Sequence, residues 1–178
     1  MDARVVRTKR DLSEALLTLL ESNDYDSIKV VDICNKALIS KVTFYNNFRG
    51  KNDLLKHILT TFEESITNEL TSLSSKINSR EEYISGMIRI TCRNIKENKL
   101  FLSKIINKDN NTTILNELRN FIFSEILKNY ESLISDSKKS IPHEYVAAFY
   151  SGAIVSLLPE ILKENTEIDD SLIVKLFA

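Results

Sequence analysis

Glycine and proline are scarce in this chain of 178 residues, and tryptophan is absent. It has three glycines and two prolines, whereas β-strands joined by tight turns need frequent glycine, proline or Asn-Gly punctuation. Alternation of apolar and polar residues is missing as well. These absences argue against a β-rich fold and predict an all-α protein of about nine helices.

Cysteines and long apolar runs are equally scarce. Cys34 and Cys92 show neither C-x-x-C spacing nor a nearby histidine pair, so we expect no disulfide framework and no metal site. The longest uncharged run, residues 145–159, has 15 residues, fewer than the roughly 20 that a membrane span needs. Because no apolar signal core opens the chain either, we expect a cytoplasmic protein with no membrane partner.

Catalytic motifs are missing too. The sequence has no glycine-rich phosphate loop, no G-x-S-x-G turn, and no His-x-x-His or Glu-x-x-His ligand pair. His57 and His143 stand alone, and lone histidines are more often surface or structural groups. We therefore expect neither an enzyme nor a cofactor.

Charge is distributed unevenly along the chain. The formal net charge is -1, but residues 1–60 carry ten Lys or Arg against eight Asp or Glu, a net of +2. Five basic residues cluster between positions 36 and 56: Lys36, Lys41, Arg49, Lys51 and Lys56. A local basic face is what phosphate contact requires, although a solvated helical surface remains the plain alternative.

Two short helical patterns with a break between them occupy residues 26–51. Apolar residues recur at helical spacing first over residues 30–37 and then at Phe44 and Phe48, with residues 38–40 interrupting them. That is the outline of a helix-turn-helix, whose second helix lies in the major groove of DNA. A preceding helix is expected over residues 9–22, opened by a capping box of Thr8 and Asp11.

The remaining chain predicts a helical bundle. A long helix is expected over residues 52–77, and the next helix opens with a capping box of Ser79 and Glu82. Two further helices are expected, one over residues 100–106 and one over residues 114–133. We place the DNA-binding domain at residues 1–60 and an effector-binding and dimerisation domain at residues 61–178.

The helix that Pro142 should open carries small residues in a line. Ala148, Gly152 and Ser156 recur at intervals of four, which lets a second helix approach closely. The final segment, residues 169–178, offers Leu172 and Leu176. We expect a dimer through the last two helices, with packing against the chain's own core as the alternative.

The sequence resembles the TetR family of bacterial transcriptional regulators over residues 8–57. The likeness is carried by residues 28–34 (IKVVDIC), 37–48 (ALISKVTFYNNF) and 50–55 (GKNDLL). It implies that Ser40 caps the recognition helix and that Lys41, Val42 and Asn46 face bases. It also implies that four residues contact DNA phosphates: Thr43, Tyr45, Asn47 and Lys51.

Two positions depart from that family's pattern. Leu38 stands where the turn usually has glycine, so either the turn is altered or Leu38 accepts a strained backbone. Lys29 stands where the second helix usually begins with threonine. Lysine caps poorly, but its ammonium could still reach a phosphate.

The resemblance implies a homodimer that binds palindromic double-stranded DNA, usually as a repressor, sometimes as an activator, and sometimes under control of a small ligand. Residues 150–158 resemble a helix of the subgroup that includes the activator of dihydroxyacetone kinase genes. Residues available to line a ligand pocket are Tyr83, Met87, Cys92, Phe101, Phe121, Phe123 and Tyr150, and an apolar or neutral ligand would suit them. The alternative to a pocket is that these residues fill the core. The alternative to DNA binding is a helical interaction module without an operator.

Overall fold

The structure, a computed structural model, describes residues 2–77, 79–106, 111–130 and 141–162, together with Lys175. These residues form eight α-helices and one short 3-10 turn, with no β-strand among them. The expectation of an all-α fold is confirmed. The helix expected over residues 169–178, with Leu172 and Leu176, lies outside the described residues except at Lys175. Cα packing divides the chain into two compact units, Met1–Glu63 and Glu64–Ala178.

The first unit consists of three helices and the start of a fourth. In chain order these elements are α1 (Ala3–Ser22), the 3-10 turn (Tyr25–Ser27), α2 (Val30–Ala37), α3 (Lys41–Asn47) and α4 (Lys51–Ser74). α1 packs on α2 and α3. Its stripe of Leu12, Leu16 and Leu20 is buried, as is Phe44 of α3. Truncating a buried phenylalanine of this kind to alanine removes about 3 to 5 kcal/mol of stability.

α1 begins earlier than the sequence suggested. The helix was expected to open at residue 9 behind Thr8, but it starts at Ala3, and the Asp2 carboxylate accepts a hydrogen bond from the Arg4 N–H at 2.9 Å. A capping-box pattern is only four residues long, so it also occurs by chance inside a helix that a stronger cap has already started. The basic residues Arg4, Arg7, Lys9 and Arg10 therefore lie within α1.

The second unit contains the end of α4 and four further helices: α5 (Arg80–Glu97), α6 (Lys99–Ile106), α7 (Asn111–Tyr130) and α8 (His143–Ile161). α7 packs along α8, and α6 contacts both α5 and α7. The expected cap of α5 is present, because Ser79 Oγ accepts a hydrogen bond from the Glu82 N–H at 3.2 Å. Pro142 is the N-cap of α8, and Pro159 lies within that helix. None of the described helices combines the length and hydropathy needed to cross a membrane.

Candidate nucleic-acid interface

The N-terminus of α2 is capped from inside the helix. Lys29 occupies the N-cap position with extended backbone (φ -104°, ψ 159°). Its side chain has no acceptor for the first free N–H groups of the helix. Asp32 compensates in part, because its Oδ2 accepts a hydrogen bond from the Lys29 N–H at 2.8 Å. The exposed Lys29 ammonium is therefore not needed to start the helix.

α2 ends at Leu38 in a left-handed conformation, with φ 56° and ψ 37°. The Ile39 N–H donates to the Cys34 carbonyl at 3.0 Å, and the Leu38 N–H donates to the Asn35 carbonyl at 3.3 Å. These two bonds form a Schellman motif, which usually places glycine at this position. Of the two alternatives expected at Leu38, the structure shows the second: the turn keeps its usual geometry, and Leu38 adopts a strained backbone conformation.

α3 has one buried and one exposed face. Ser40 Oγ accepts a hydrogen bond from the Thr43 N–H at 3.1 Å, so the cap expected at Ser40 is present. Phe44 is fully buried and its ring lies 5.9 Å, centroid to centroid, from that of the buried Phe48. These rings hold one side of the helix against the core.

The exposed face of α3 carries four of the predicted DNA-contacting residues: Lys41, Val42, Tyr45 and Asn46. Lys41 lies four residues before Tyr45, and Val42 lies three and four residues before Tyr45 and Asn46, so the side chains share one surface. Thr43 and Asn47 are half-buried and bonded to the helix itself, with Thr43 Oγ1 2.9 Å from Ser40 Oγ and Asn47 Nδ2 donating to the Thr43 carbonyl at 2.8 Å. The structure thus brings the base-facing candidates together.

Lys51 has contacts that sequence reasoning missed. Its Nζ donates to the backbone carbonyls of Tyr25 at 2.5 Å and Ile28 at 2.8 Å, and it lies 4.2 Å from the Tyr25 ring centroid. Burial lowers the pKa of Lys51, and nearby Asp26 opposes that shift. Because an ammonium has three N–H donors, two bonds leave one for a phosphate. The phosphate role of Lys51 stays a prediction, and a structural role is added to it.

Basic residues in α1 are partly neutralised by their own helix. Arg7 and Arg10 both form ion pairs with Asp11, at 3.7 Å and 3.1 Å, and Arg10 also lies 3.6 Å from Glu14. Lys9 Nζ lies 5.6 Å from the Phe48 ring centroid. These ion pairs reduce the positive charge that α1 contributes to the net of +2 over residues 1–60.

Cys34 is buried behind the turn between α2 and α3. Burial raises the pKa of the Cys34 thiol, and the positive charge of Lys41 opposes that rise. A thiol that is buried and protonated packs as a small apolar group.

The residues predicted to line a ligand pocket differ in burial. Tyr83, Met87, Cys92 and Phe101 are buried, whereas Phe121, Phe123 and Tyr150 are half-buried. A cavity between α5 and α8 includes only Cys92 from that set, and its other lining residues are Ile88, Thr91, Ile95, Ile154, Leu157 and Ile161. Its enclosed space is about 10 Å³, roughly the room that one water molecule needs.

α8 presents an exposed apolar face. Ala148 and Ser156 are exposed, and Gly152 is half-buried with no atom within 4 Å of the place where a Cβ would lie. Tyr145 and Phe149 are exposed on the same helix by 69% and 65%. Sequence reasoning missed both aromatic residues, although their spacing of four residues was a readable signal.

Comparison with known proteins shows what the second unit is similar to. Residues 81–178 match the family model TetR_C_8, described as a transcriptional regulator C-terminal region. Over 76 residues the chain is 38% identical to YxbF of Bacillus subtilis, described as an uncharacterized HTH-type transcriptional regulator, and covers 20% of that protein. Over 106 residues it is 33% identical to DhaS of Lactococcus lactis, an activator of the dhaKLM operon, and covers 51% of it. The matched parts thus span about half or less of these relatives.

Solved structures share the fold. A structure of the dihydroxyacetone kinase operon activator DhaS superposes with a TM-score of 0.69 at 24% identity, covering 96% of this chain and 94% of that one. A protein of Syntrophomonas wolfei assigned to the TetR family gives a TM-score of 0.76 at 19% identity, covering 96% and 90%. Together with the family model, which spans more than half of the chain, this shows that the chain belongs to the TetR family of transcriptional regulators.

Proposed function

We propose that the protein regulates transcription by binding a palindromic DNA operator through α3. The observation that carries the proposal is the division of α3 into two faces. Phe44 is fully buried, whereas Val42 and Tyr45 are 71% and 57% exposed. A free helix surface with polar and apolar groups, capped by Ser40 in a basic stretch, fits the major groove.

The exposed side chains suit different parts of DNA. Lys41 can donate to guanine, Val42 can touch a thymine methyl, and Asn46 can form a bidentate contact with adenine. Phosphate contact is proposed for the remaining candidates, which carry a hydroxyl, amide or ammonium group: Lys29, Thr43, Tyr45, Asn47 and Lys51. Phosphate contacts fix the orientation of a protein on DNA, whereas base contacts give specificity.

A dimer would be formed by the exposed face of α8. The proposal is supported by the open space around Gly152 and by the exposed rings of Tyr145 and Phe149. Scattered exposed apolar residues are normal on a surface, but a row on one helix face suggests an interface. Two such subunits would present recognition helices about 34 Å apart, or a multiple of that distance.

Ligand control would act through the second unit. The cavity beside Cys92 is lined mainly by apolar side chains, which supports a small apolar or neutral ligand. Its enclosed space of about 10 Å³ would admit a ligand only if α5 and α8 repacked. Binding would release DNA only if the ligand prefers one of two conformations of the regulator.

The direction of regulation has two candidates. Release from the operator by a ligand describes a repressor. The likeness to DhaS, which is named as a transcriptional activator, supports an activator as the second candidate. Deleting the gene and measuring transcripts of adjacent genes separates them, because loss of a repressor raises those transcripts and loss of an activator lowers them.

Selection of bound fragments from source genomic DNA tests the function directly. The full chain is incubated with fragments at about 0.15 M salt, where non-specific binding is weakened by screening. Enrichment of a palindrome with half-sites one or more helical turns apart is the expected result. Failure to enrich any shared sequence would favour the other class of function, a helical interaction module without an operator.

A further inference from the structure

Leu38 combines two features that rarely occur together in an apolar residue. Its backbone is left-handed, with φ 56°, and it is the one residue other than glycine with positive φ in the described part of the chain. Its side chain is 93% exposed, so burial of the leucine does not offset the strain. Outliers of this kind cluster at functional sites, and the position calls for an explanation outside the folding of the subunit.

The surroundings of Leu38 indicate what could contact it. It lies two residues before Ser40, the cap of α3, and four residues before Val42, which is also exposed. Three of the eight exposed large apolar side chains of the described residues fall within this stretch: Leu38, Val42 and Tyr45. Residues 29–51 carry five Lys or Arg and a single acidic residue, Asp32. This small apolar surface therefore belongs to a net positive stretch of the chain, which favours a polyanion as its partner.

In the major groove, the 5-methyl group of thymine is the apolar feature that a side chain can recognise. The N-terminal end of a recognition helix is the part that approaches base edges, and Leu38 lies next to that end. We infer that Leu38 is a specificity-determining residue that packs against a thymine methyl beside the base pair contacted by Val42. This inference rests on the proposed function, because it requires an operator.

Variants that relieve the backbone strain at position 38 distinguish a residue that only forms the turn from a residue that contacts DNA. Leu38→Gly and Leu38→Asn both suit a left-handed backbone and remove the branched apolar side chain. We expect both variants to fold, with Leu38→Gly melting at a higher temperature than the wild type. We also expect both to bind the selected operator about fourfold or more weakly, the loss for one or two buried methyl-sized groups.

Single replacements of thymine by deoxyuridine identify the contact, because they remove only the methyl group. Wild-type protein should lose about fourfold in affinity at the thymine that Leu38 contacts in each half-site, in addition to any loss at a thymine that Val42 contacts. The two Leu38 variants should show no loss at that same thymine and normal losses at any other. Leu100→Asn is the matched control, since Leu100 is an exposed leucine in α6, and it should leave every affinity unchanged.

Results that contradict the inference differ from those that contradict the function. If wild-type protein enriches no operator, the proposed function fails. If it enriches one, and Leu38→Gly binds the thymine and deoxyuridine forms with wild-type affinities, Leu38 is only a strained turn residue and the inference is overturned.

Discussion

The Lys51 ammonium lies 4.2 Å from the centre of the Tyr25 ring and donates a hydrogen bond to the Tyr25 carbonyl. Lys51 also donates a hydrogen bond, at 2.8 Å, to the carbonyl of Ile28, which follows the 3-10 turn Tyr25–Ser27. The Tyr25 hydroxyl in turn donates to Asn52 Oδ1 at 2.7 Å. These contacts join the first turn of α4 to the segment that leads into α2, and thereby position the N-terminus of the helix-turn-helix.

Lys51→Ala should lower both stability and DNA affinity. Hydrogen bonds to a charged group contribute about 1.5 to 3 kcal/mol, so chemical denaturation should show a loss in that range. If the third N–H meets a phosphate, the slope of log K against log salt should also fall by about 0.9. Lys56→Ala is the control, because Lys56 is exposed on the same helix, and it should change stability by less than about 0.5 kcal/mol. A Lys51 variant as stable as this control would contradict the positioning role.

Tyr25 should make stability fall in strong alkali. Burial, helped by the charge of Asp26, raises the pKa of Tyr25 from 10.0 to about 12. The folded chain thus keeps a proton that the unfolded chain has lost, and stability decreases as pH rises between these values. Titration of Lys51 has the opposite effect, because its pKa is lowered from 10.5 in the folded chain and stability therefore rises with pH. This effect of Lys51 ends near pH 10.5, where the unfolded chain also loses the proton.

Unfolding by urea at several pH values between 10.5 and 12 checks this expectation. Wild-type protein should lose more stability over this window than Tyr25→Phe, which has no phenol to titrate. Parallel curves for the two proteins would show that Tyr25 does not control alkaline stability.

Lys29→Ser should stabilise the protein and weaken DNA binding. Serine at the N-cap can accept the hydrogen bond that lysine cannot, which contributes about 1 kcal/mol. Loss of the ammonium should reduce the salt slope by about 0.9 if Lys29 contacts a phosphate. Lys36→Ser, at an exposed position in the last turn of α2, gives no new cap and serves as the control. Unchanged DNA affinity in Lys29→Ser would remove Lys29 from the interface.

Gly152→Arg should separate the proposed dimer. Open space around Gly152 lets an arginine fit within one subunit, whereas a partner helix at this face would meet its bulk and charge. Sedimentation should therefore report a monomer with a normal melting curve at low concentration. Asn120→Arg, at an exposed position of α7, should remain a dimer. A dimer that survives Gly152→Arg would place the interface elsewhere.

Local signals made parts of this structure predictable. Ser79 and Ser40 cap helices as their sequence patterns indicate, because such bonds join residues three apart. A leucine at the turn position predicted either an altered turn or a strained backbone, and the structure has the second, with Leu38 at φ 56°. Spacing of apolar residues likewise predicted the buried Phe44 and Phe48.

Other features depend on contacts that spacing does not reveal. Lys51 reaches carbonyls 26 and 23 residues earlier, and only the folded chain brings them together. The start of α1 was misplaced because Thr8 and Asp11 mimic a cap inside a helix that Asp2 begins. The cavity between α5 and α8 includes Cys92, which was chosen by residue type, but most of its lining residues are isoleucines that resemble any other core residue.

The most direct test of the account is the affinity of Asn46→Ala for the selected operator, for single-base variants of it and for unrelated DNA. Asn46 is exposed on α3, and its proposed contact with a base should contribute about 1 to 3 kcal/mol at one position. We expect Asn46→Ala to lose affinity for the operator, to stop discriminating at that base pair, and to bind unrelated DNA with the wild-type salt dependence. An equal loss of affinity on every sequence would contradict base reading by Asn46.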